Sequence, residues 1–240
     1  MTVSLGTEKI LVILPTYNEA GNVARIASRL KSLDIGASIL FIDDNSPDGT
    51  GEVLDGIAKR EPLVNVIHRS CKMGLGTAYI EGFKYALKGN FNYILEMDAD
   101  GQHDPRYIKN LVNLCKEYDL VIGSRYKDGI RFLNIKLFRI VLASLASKYI
   151  RLITGMHIFD AASGLRCFRR EVLEAIDLDK VYSKGFAFQI EMAYRAWKKG
   201  FRIFEYPIIF YSRSSGFSKM SSRICLEALF VVLRLRLLAK

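Results

Sequence analysis

The sequence contains few residues of the kinds that build metal clusters or disulfide frameworks. Four cysteines and three histidines occur in 240 residues. No two cysteines form a Cys-x-x-Cys pair, and no histidine stands at a zinc-ligand spacing from a cysteine. We therefore expect neither a zinc site nor a disulfide framework, and we expect free thiols in a reducing compartment. The residues concerned are Cys71, Cys115, Cys167, Cys225, His68, His103 and His157.

Long apolar runs and targeting signals are also missing. No segment reaches the roughly 18 uninterrupted apolar residues of a membrane span. The best candidate, residues 224–238, is interrupted by Glu227, Arg234 and Arg236. Residues 1–8 are polar and do not have the pattern of a secretory signal. We expect neither a membrane-spanning helix nor a signal peptide.

The charge balance is strongly one-sided, with a net charge of +10 and a hydrophobic content of 50%. No nucleic-acid motif and no block of lysines and arginines occurs. We therefore expect anionic lipid or phosphorylated substrates as partners, and not nucleic acid. A basic surface without a specific partner is the alternative. The length and the apolar content suit one large α/β domain.

The first half of the chain alternates short apolar runs with amphipathic segments. The runs predict strands at residues 9–14, 38–42, 64–68, 92–97 and 120–122. The amphipathic segments predict helices at residues 20–33, 51–60, 76–88 and 105–117. Such alternation predicts the α/β fold class, with a mainly parallel central sheet flanked by helices. Sheets of this kind bind ligands beyond the carboxyl ends of their strands.

The second half has a different pattern. Residues 132–153 are apolar with interspersed lysines and arginines and predict a helix, and a Leu/Val/Arg-rich helix ends the chain. Residues 161–168 and 202–211 predict strands, and residues 187–199 predict a helix. Apolar helices carrying basic residues are typical of membrane interfaces. Ordinary core helices are the alternative.

Two aspartates follow the fourth predicted strand. The apolar run 93–97 ends in Asp98 and Asp100. We expect the strand to end at Met97 and the two carboxylates to converge in the following turn. Two neighbouring carboxylates suit a hard cation such as Mg²⁺ or Mn²⁺, which usually also binds substrate phosphates. A polar strand-to-helix loop capped by aspartate is the alternative.

Polar clusters follow the other predicted strands as well. Residues 15–19 and 43–50 could hold a base and ribose, or could be turns that cap the next helix. Gly74 and Gly76 precede a helix, where backbone can approach a phosphate closely. A simple connecting turn is the alternative for these glycines.

Together these segments resemble the family 2 glycosyltransferases with the GT-A fold, and within that family the polyprenol (dolichol) phosphate mannose synthases. The resemblance runs from residue 9 to residue 219, and its motifs occur in the family's order. They are Pro-Thr-Tyr-Asn-Glu at 15–19, Asp-Asp-x-Ser-Pro-Asp-Gly-Thr at 43–50, Lys-x-Gly-Leu-Gly-Thr-Ala-Tyr at 72–79, Asp-Ala-Asp at 98–100, Gly-Ser-Arg-Tyr at 123–126, Ser-Gly-Leu-Arg at 163–166, Ser-Lys-Gly-Phe-Ala-Phe-Gln-Ile-Glu at 183–191 and Arg-x-x-Gly-x-Ser-Lys at 213–219.

The resemblance implies a role for each matched residue. Asp98, Asp100 and Gln102 would hold Mg²⁺ or Mn²⁺ on the donor diphosphate. The catalytic set would be Asp100, with Arg125 and Arg139 on the acceptor phosphate and Arg213 and Lys219 on a closing loop. The nucleotide-sugar site would comprise Pro15, Tyr17, Glu19, Asp43, Asp44, Lys72, Gly74, Asp98, Gln189 and Glu191, of which Gln189 and Glu191 would face the sugar.

Two positions depart from the family's pattern. The usual Asp-x-Thr-x-x-Phe-Arg segment is Asp-Ala-Ala-Ser-Gly-Leu-Arg at residues 160–166. Ala162 therefore lacks a hydroxyl group that relatives present. Ala143 stands where a serine is often found four residues after the position of Arg139. Both departures affect fine contacts to the acceptor or the sugar, and neither changes the expected reaction class.

The implied reaction is an inverting, metal-dependent transfer of mannose from GDP-mannose to polyprenyl (dolichyl) phosphate, for protein or cell-envelope glycosylation. A phosphate monoester has a second pKa of about 6, so the attacking oxygen is largely ionised at pH 7. No general base is then required. Catalysis would consist of positioning and of charge stabilisation of the departing diphosphate.

A long polyprenyl chain requires the enzyme to work at a membrane. We expect peripheral, monotopic attachment to the cytoplasmic face of a membrane that exposes anionic lipid, with room for a small membrane-protein subunit. Residues 1–220 would form the GT-A catalytic domain, including an acceptor helix at 132–153. Residues 221–240 would form a C-terminal amphipathic helix that associates with the membrane.

Two rival functions stay open. A related enzyme could make polyprenyl phosphate glucose from UDP-glucose or extend a polysaccharide. Glucose-type relatives tend to have Asn-x-Gly-x-Gly before the third helix, whereas residues 72–76 are Lys-Met-Gly-Leu-Gly, which favours mannose. The other rival is a non-catalytic module that binds nucleotide or phospholipid. The intact acidic pair and the matched arginines argue against a loss of chemistry.

Overall fold

The computed structural model describes residues 8–212 and 222–237. The strands in this part of the chain are β1 Ile10–Thr16, β2 Ser38–Asp43, β3 Val64–His68, β4 Tyr93–Glu96, β5 Leu120–Ser124, β6 Phe132–Leu133, β7 Arg166–Arg169, β8 Ile203–Pro207 and β9 Phe210–Tyr211. The α-helices are α1 Ala20–Lys31, α2 Thr50–Ala58, α3 Leu75–Lys88, α4 Tyr107–Leu114, α5 Leu137–Thr154, α6 Arg170–Ala175, α7 Ala187–Lys198 and α8 Ser222–Leu237.

The strands form a mainly parallel sheet in the order β3-β2-β1-β4-β7-β5-β8. Only β7 of this sheet runs antiparallel to its neighbours, β4 and β5. β6 and β9 form a separate two-stranded parallel sheet. The chain first moves from β1 towards β3 and then returns to place β4 on the other side of β1. The adjacent carboxyl ends of β1 and β4 therefore form a topological switch point, where such sheets bind ligands.

Both faces of the sheet are covered by helices, which confirms the predicted fold class. Leu11 and Ile13 of β1 pack in a core with residues of α3, α6 and α7. Ile10, Val12 and Leu14 pack in a second core with residues of α1, α2 and α4. Because β1 is buried on both faces, it is a continuous apolar run and lacks an alternating pattern.

Three predicted elements in the second half were wrong in extent. The helix predicted at 132–153 begins only at Leu137, because Phe132 and Leu133 pair with β9 instead. The strand predicted at 161–168 is reduced to β7, because residues 161–165 form a turn before the strand begins. The strand predicted at 202–211 is divided into β8 and β9. In the first half, each predicted strand and helix is present with small shifts at its ends.

Candidate functional site

The acidic turn lies directly after β4, at the switch point of the sheet. β4 ends at Glu96, one residue earlier than predicted, and the chain then turns through Asp98 and Asp100. Asp100 is buried, and its Oδ1 accepts a hydrogen bond from the backbone N–H of Gln102 at 3.0 Å. Oδ2 of Asp98 lies 3.7 Å from Nδ1 of His103. The three predicted metal ligands, Asp98, Asp100 and Gln102, therefore lie in one turn at the carboxyl end of β4.

The donor set of this turn fits a hard divalent cation. The side chain of Asp98 is 28% exposed, and the carboxylate of Asp100 is oriented by the hydrogen bond from the backbone N–H of Gln102. Mg²⁺ is commonly bound by one or two carboxylates together with substrate phosphates. Within the described residues no group of three carboxylate, imidazole or thiol side chains could hold a metal by itself. Asp98, Asp100 and Gln102 would thus share a cation with phosphate oxygens.

A buried glutamate lies beneath the acidic turn. Glu96 is fully buried, and its Oε2 lies 3.7 Å from Nε of the equally buried Arg166. Burial raises the pKa of Glu96 to about 8, against the opposing effect of Arg166 and with a further contribution from Asp98. The carboxyl group is therefore mainly protonated at neutral pH. This keeps a third negative charge away from the turn.

The protonated state of Glu96 predicts a pH-dependent stability. Its pKa is raised from 4.5 to about 8, so between these values the native state holds a proton that the unfolded chain has lost. The free energy of unfolding then falls by about 1.4 kcal/mol per pH unit from this group as the pH rises. Glu96→Gln removes this loss, so the variant should gain on the wild type between pH 5 and pH 8. Urea unfolding with a chelator present measures the difference.

The matched control for this substitution is Glu174→Gln, which changes a half-exposed carboxylate that pairs with Arg170 on the protein surface. Its stability should follow the wild-type pH dependence. Parallel curves for Glu96→Gln and the wild type would show that Glu96 is ionised throughout.

Predicted nucleotide residues that follow β1 and β3 lie close together at the carboxyl ends of these strands. The ammonium group of Lys72 lies 3.9 Å from the ring centroid of Tyr17. Glu19 is nearly buried, and its carboxylate accepts a hydrogen bond from Asn22 at 2.7 Å. Pro15 is the penultimate residue of β1 and lies opposite Ile42 of β2. A cation over an aromatic ring can present both charge and a flat surface to a nucleotide.

The two aspartates after β2 have different partners. The carboxylate of Asp43 accepts hydrogen bonds from the hydroxyl of Ser46 at 2.5 Å and that of Thr16 at 3.2 Å. Oδ2 of Asp44 accepts from the backbone N–H groups of Met73 and Gly74 at 3.2 and 3.3 Å. Asp43 therefore shapes its own turn, and Asp44 fixes the glycine-containing loop. Whether either contacts a nucleotide stays a prediction.

Sequence patterns did not single out Arg69, which holds this region together. Its buried guanidinium donates to Oδ1 of Asp44 at 2.6 Å and to the hydroxyl of Thr77 at 2.8 Å. It also pairs with Glu81 at 3.3 Å. The arginine thus ties the end of β2 to the first turns of α3. An arginine directly after a predicted strand end was the available signal.

The glycine-containing loop is confined by a second segment. Gly74 has a φ of +103°, and a Cβ there would lie 2.8 Å from the carbonyl oxygen of Lys184. The backbone N–H of Gly76 donates to the same oxygen at 2.8 Å. A side chain at either glycine would push the segment that precedes α7 away from α3. These glycines are therefore needed for close backbone approach.

Arg125 lies in an aromatic enclosure on the acceptor side. Its guanidinium forms a two-pronged ion pair with Asp160, at 2.8 and 2.7 Å, and the rings of Tyr126, Phe132 and Phe210 surround it. Burial opposes its charge, but Asp160 outweighs burial and raises the pKa of Arg125. The guanidinium is therefore permanently charged and fixed in direction. Its predicted contact with an acceptor phosphate stays a prediction.

The remaining predicted residues occupy different settings. Arg139 is exposed on the first turn of α5. The buried carboxylate of Glu191 accepts hydrogen bonds from Ser183 and from Arg195, so in this structure it anchors the segment before α7. The side chain of Gln189 is buried on the first turn of α7. Arg213 and Lys219 lie outside the described residues, so their predicted loop stays a prediction.

The acidic turn is linked directly to the strand that precedes residue 213. The side-chain amide of Gln102 donates to the carbonyl oxygen of Tyr211 at 3.0 Å, and the N–H of Tyr211 donates to the carbonyl oxygen of Gln102 at 3.1 Å. Phe210 contacts both Arg125 and His103 through its ring. The predicted metal ligands and the predicted acceptor arginine therefore share one packed unit.

The sheet topology and the acidic turn at its switch point define a GT-A-type glycosyltransferase. The family model described as "Glycosyl transferase family 2" matches residues 11–177. The chain belongs to glycosyl transferase family 2.

Two curated relatives resemble the chain over nearly its full length. The polyprenol monophosphomannose synthase of Mycolicibacterium smegmatis is 44% identical over 94% of this chain and 86% of its own length. The undecaprenyl-phosphate mannosyltransferase of Micrococcus luteus is 41% identical over 97% of this chain and 96% of its own length. Both therefore align with the sheet, the acidic turn and the helices that follow.

Solved structures with low identity share the fold. Glucosyl-3-phosphoglycerate synthase from Mycobacterium tuberculosis superposes with a TM-score of 0.69 at 15% identity, covering 95% of this chain and 80% of that one. A mannosyltransferase from Pyrobaculum calidifontis in complex with GDP-Man and Mn²⁺ gives a TM-score of 0.57 at 18% identity, covering 96% and 73%. These likenesses concern the fold alone.

Proposed function

We propose that this enzyme transfers mannose from GDP-mannose to a polyprenyl phosphate, with inversion at the sugar carbon and with a divalent cation. The observation that carries the proposal is the identity of 44% and 41% with two proteins named for mannose transfer to polyprenyl phosphates. The acidic turn at the switch point supports it, because a nucleotide diphosphate needs charge compensation at that position.

The donor would lie across the carboxyl edge of β1, β2 and β4. Tyr17 and Lys72 would contact the nucleotide, and Asp98, Asp100 and Gln102 would hold Mg²⁺ or Mn²⁺ on the diphosphate. The fold neighbour in complex with GDP-Man and Mn²⁺ supports dependence on a divalent cation, and the three ligands are our own assignment. The cation, when bound, would neutralise the charge that develops on the departing diphosphate.

The acceptor phosphate would approach from the side of Arg125 and α5. Arginine is always charged and its planar fork matches phosphate oxygens. The ion pair with Asp160 fixes the direction of Arg125, while Arg139 is exposed and can move onto an incoming headgroup. We assign these two arginines to alignment of the attacking oxygen, and Arg213 and Lys219 to closure over the phosphates.

No side chain needs to remove a proton in this reaction. The acceptor is largely ionised at neutral pH because its second pKa is about 6. His103 is close to the acidic turn, but burial and, to a lesser extent, the charge of Arg125 lower the pKa of its imidazole to about 3, with Asp160 only partly opposing them. The imidazole is therefore neutral and buried, and we assign it to packing against Phe210.

The test of the proposal is to identify the product. The purified chain is incubated with polyprenyl phosphate, Mg²⁺ or Mn²⁺, and either GDP-mannose or UDP-glucose, and the glycolipid is characterised by mass and anomeric configuration. We expect a mannolipid with inverted configuration from GDP-mannose alone. A glucolipid as the main product, or nucleotide binding without transfer, would overturn the assignment.

We further propose peripheral attachment to the cytoplasmic face of a membrane. Within the described residues, no helix combines the length and the apolarity that crossing a membrane requires. α5 and α8 pack together, and Tyr149 of α5 donates to the carbonyl oxygen of Leu229 of α8 at 3.2 Å. Both helices expose large apolar side chains, namely Leu137, Phe138, Val141, Leu142, Leu145, Leu152, Phe230, Leu233 and Leu237.

These exposed side chains suit insertion into a lipid interface. Arg139 and Lys148 on α5 are exposed beside them and can pair with anionic headgroups. We therefore keep residues 1–220 as the proposed catalytic domain and residues 221–240 as the proposed membrane-associating segment. We also propose that a small membrane-protein subunit can assist attachment. Flotation of the purified chain with vesicles shows whether the chain binds lipid without such a subunit.

Charge introduced into this apolar surface should weaken membrane binding. Phe138 is 75% exposed and Leu142 is 51% exposed, one helical turn apart on α5. Replacing both with glutamate should lower the partition into vesicles containing anionic phospholipid by about tenfold for each side chain withdrawn from the lipid. Flotation of the protein with vesicles, followed by quantification of the bound fraction, measures the effect.

Leu63→Glu is the control for that measurement. Leu63 is 49% exposed and precedes β3, so it lies at the amino ends of the parallel strands, whereas the proposed site lies at their carboxyl ends. It adds one glutamate, half the charge of the double variant, to an apolar position away from α5 and α8, and should bind vesicles like the wild type. Equal binding of all variants would contradict docking through α5.

A further inference from the structure

A fully buried arginine, Arg166, connects two backbone segments close to the acidic turn, the turn 161–165 and the start of α7. Its Nε donates to the carbonyl oxygen of Ser163 at 2.8 Å, and its Nη2 donates to that of Ala161 at 2.5 Å. Its Nη1 donates to the carbonyl oxygen of Gln189, in the first turn of α7, at 2.6 Å. One guanidinium thus satisfies three carbonyl groups in the interior of the protein.

The turn held by Arg166 packs closely against a predicted metal ligand, Asp98. Gly164 follows Ser163, and a Cβ at Gly164 would lie only 2.6 Å from Oδ2 of Asp98. The backbone of residue 164 therefore forms one wall of the space that the Asp98 carboxylate occupies. The position of that wall depends on the turn 161–165, which Arg166 holds through the carbonyl oxygens of Ala161 and Ser163.

The contacts of Arg166 favour this backbone role over a simple ion pair. Its nearest carboxylate oxygen, Oε2 of Glu96, is 3.7 Å away, which is too long for a hydrogen bond. Among the described residues neither oxygen of Glu96 has a hydrogen-bond partner. The three carbonyl contacts, at 2.5 to 2.8 Å, are the close ones. A planar guanidinium can donate hydrogen bonds from three nitrogens to three separate carbonyl oxygens. A lysine has a single ammonium nitrogen and cannot reproduce this planar arrangement.

We propose that Arg166 is a positioning residue for the metal-bound donor: it holds the turn 161–165 against Asp98 and so fixes the carboxylate that grips the cation. Arg166 touches neither substrate nor metal, and it acts through Gly164 and Asp98. The inference rests on the proposed function, because it assumes that Asp98 binds a divalent cation together with a nucleotide diphosphate. Partners in the second layer of a metal site commonly alter metal affinity by about 10- to 100-fold.

Arg166→Lys tests the proposal through metal-dependent nucleotide binding. The wild type and the variant are titrated with Mn²⁺ at a fixed concentration of GDP, and GDP binding is measured by calorimetry. We expect the Mn²⁺ concentration for half-maximal binding to rise about 10- to 100-fold in the variant. The rate of mannose transfer at saturating Mn²⁺ should recover substantially, and the KM for polyprenyl phosphate should not change.

Two variants separate positioning from general damage. Arg170→Lys changes a neighbouring arginine that donates to the carbonyl oxygen of Leu87 at 2.7 Å, on the far end of β7. Glu96→Gln keeps the shape of the residue beside Arg166 and leaves its three carbonyl contacts in place. Both should require wild-type Mn²⁺ concentrations. A shift of equal size in Arg170→Lys, or none in Arg166→Lys, would overturn the proposal.

A second variant keeps the test decisive if Arg166→Lys does not fold. Arg166→Gln removes the buried charge and keeps an amide group that can still donate to carbonyl oxygens. A folded Arg166→Gln variant with a wild-type Mn²⁺ requirement would contradict the proposal, and a raised requirement supports it. If GDP binding by the wild type itself does not depend on Mn²⁺, the proposed metal site fails, and the positioning role fails with it.

Discussion

Replacing Asp100 with alanine is expected to abolish mannose transfer, with a loss of about 10³-fold or more, while the fold stays intact. Asp100 is 5% exposed at the switch point of the sheet, and the Gln102 N–H orients its carboxylate. Without it, Asp98 would be the one carboxylate left, with Gln102, to hold the cation and the diphosphate. The measurement is the initial rate of mannolipid formation over a range of Mn²⁺ concentrations, with thermal unfolding as the check on folding.

Asp104→Asn provides a matched control in the same segment. Asp104 is also 5% exposed, but its carboxylate pairs with Arg29 at 2.9 Å and with Arg106 at 2.7 Å, away from the turn. We expect a change of only a few-fold in rate for this variant. Near-normal metal-dependent transfer by Asp100→Ala would refute the assignment of the acidic turn as the metal site.

The acidic turn could be predicted from the sequence because its signals are local. A buried parallel strand is a short apolar run, and the polar residues that end it must lie at the ligand-binding edge of the sheet. Asp98 and Asp100 follow such a run directly, so their position needs no information from distant residues. The same reasoning correctly located Asp44 directly after a strand, β2.

The partners that fix those residues could not be predicted in this way. Arg125 is 35 residues from Asp160 in the sequence, and Arg166 is 23 residues from Gln189. Such pairs depend on how the sheet is ordered, and neither periodicity nor composition encodes that order. The strand β7 was predicted too long for a related reason, because Arg166 draws the preceding residues into a turn.

On the acceptor side, too, a contact between distant segments could not be predicted from the sequence. Phe132 and Leu133 continue an apolar pattern into α5, so a helix beginning at 132 was the local expectation. In the structure they pair with Phe210 and Tyr211, which lie beside the acidic turn. This pairing places Phe132 and Phe210 around Arg125. The small sheet therefore joins the proposed donor and acceptor halves of the site, which the sequence motifs present as separate segments.

Gly164→Ala should impair transfer strongly with little loss of stability. A methyl group at residue 164 would lie 2.6 Å from Oδ2 and 3.2 Å from Cγ of Asp98, so the Asp98 carboxylate must move. The displaced group is the end of a flexible side chain, and the cost in folding free energy is therefore small. A misplacement of about 1 Å in a catalytic site can cost about 10²-fold in rate. We expect a loss of that size in transfer at limiting Mn²⁺, with an unfolding midpoint close to that of the wild type.

Gly21→Ala shows what the same substitution does where space is open. Gly21 lies in α1, where a Cβ meets nothing within 4 Å, and alanine there should be neutral or slightly stabilising because it favours the helix. Transfer by this variant should equal that of the wild type. If Gly164→Ala kept the wild-type rate and Mn²⁺ requirement, the Asp98 carboxylate could shift without consequence. Its fixed position against the turn 161–165 would then have no part in holding the donor.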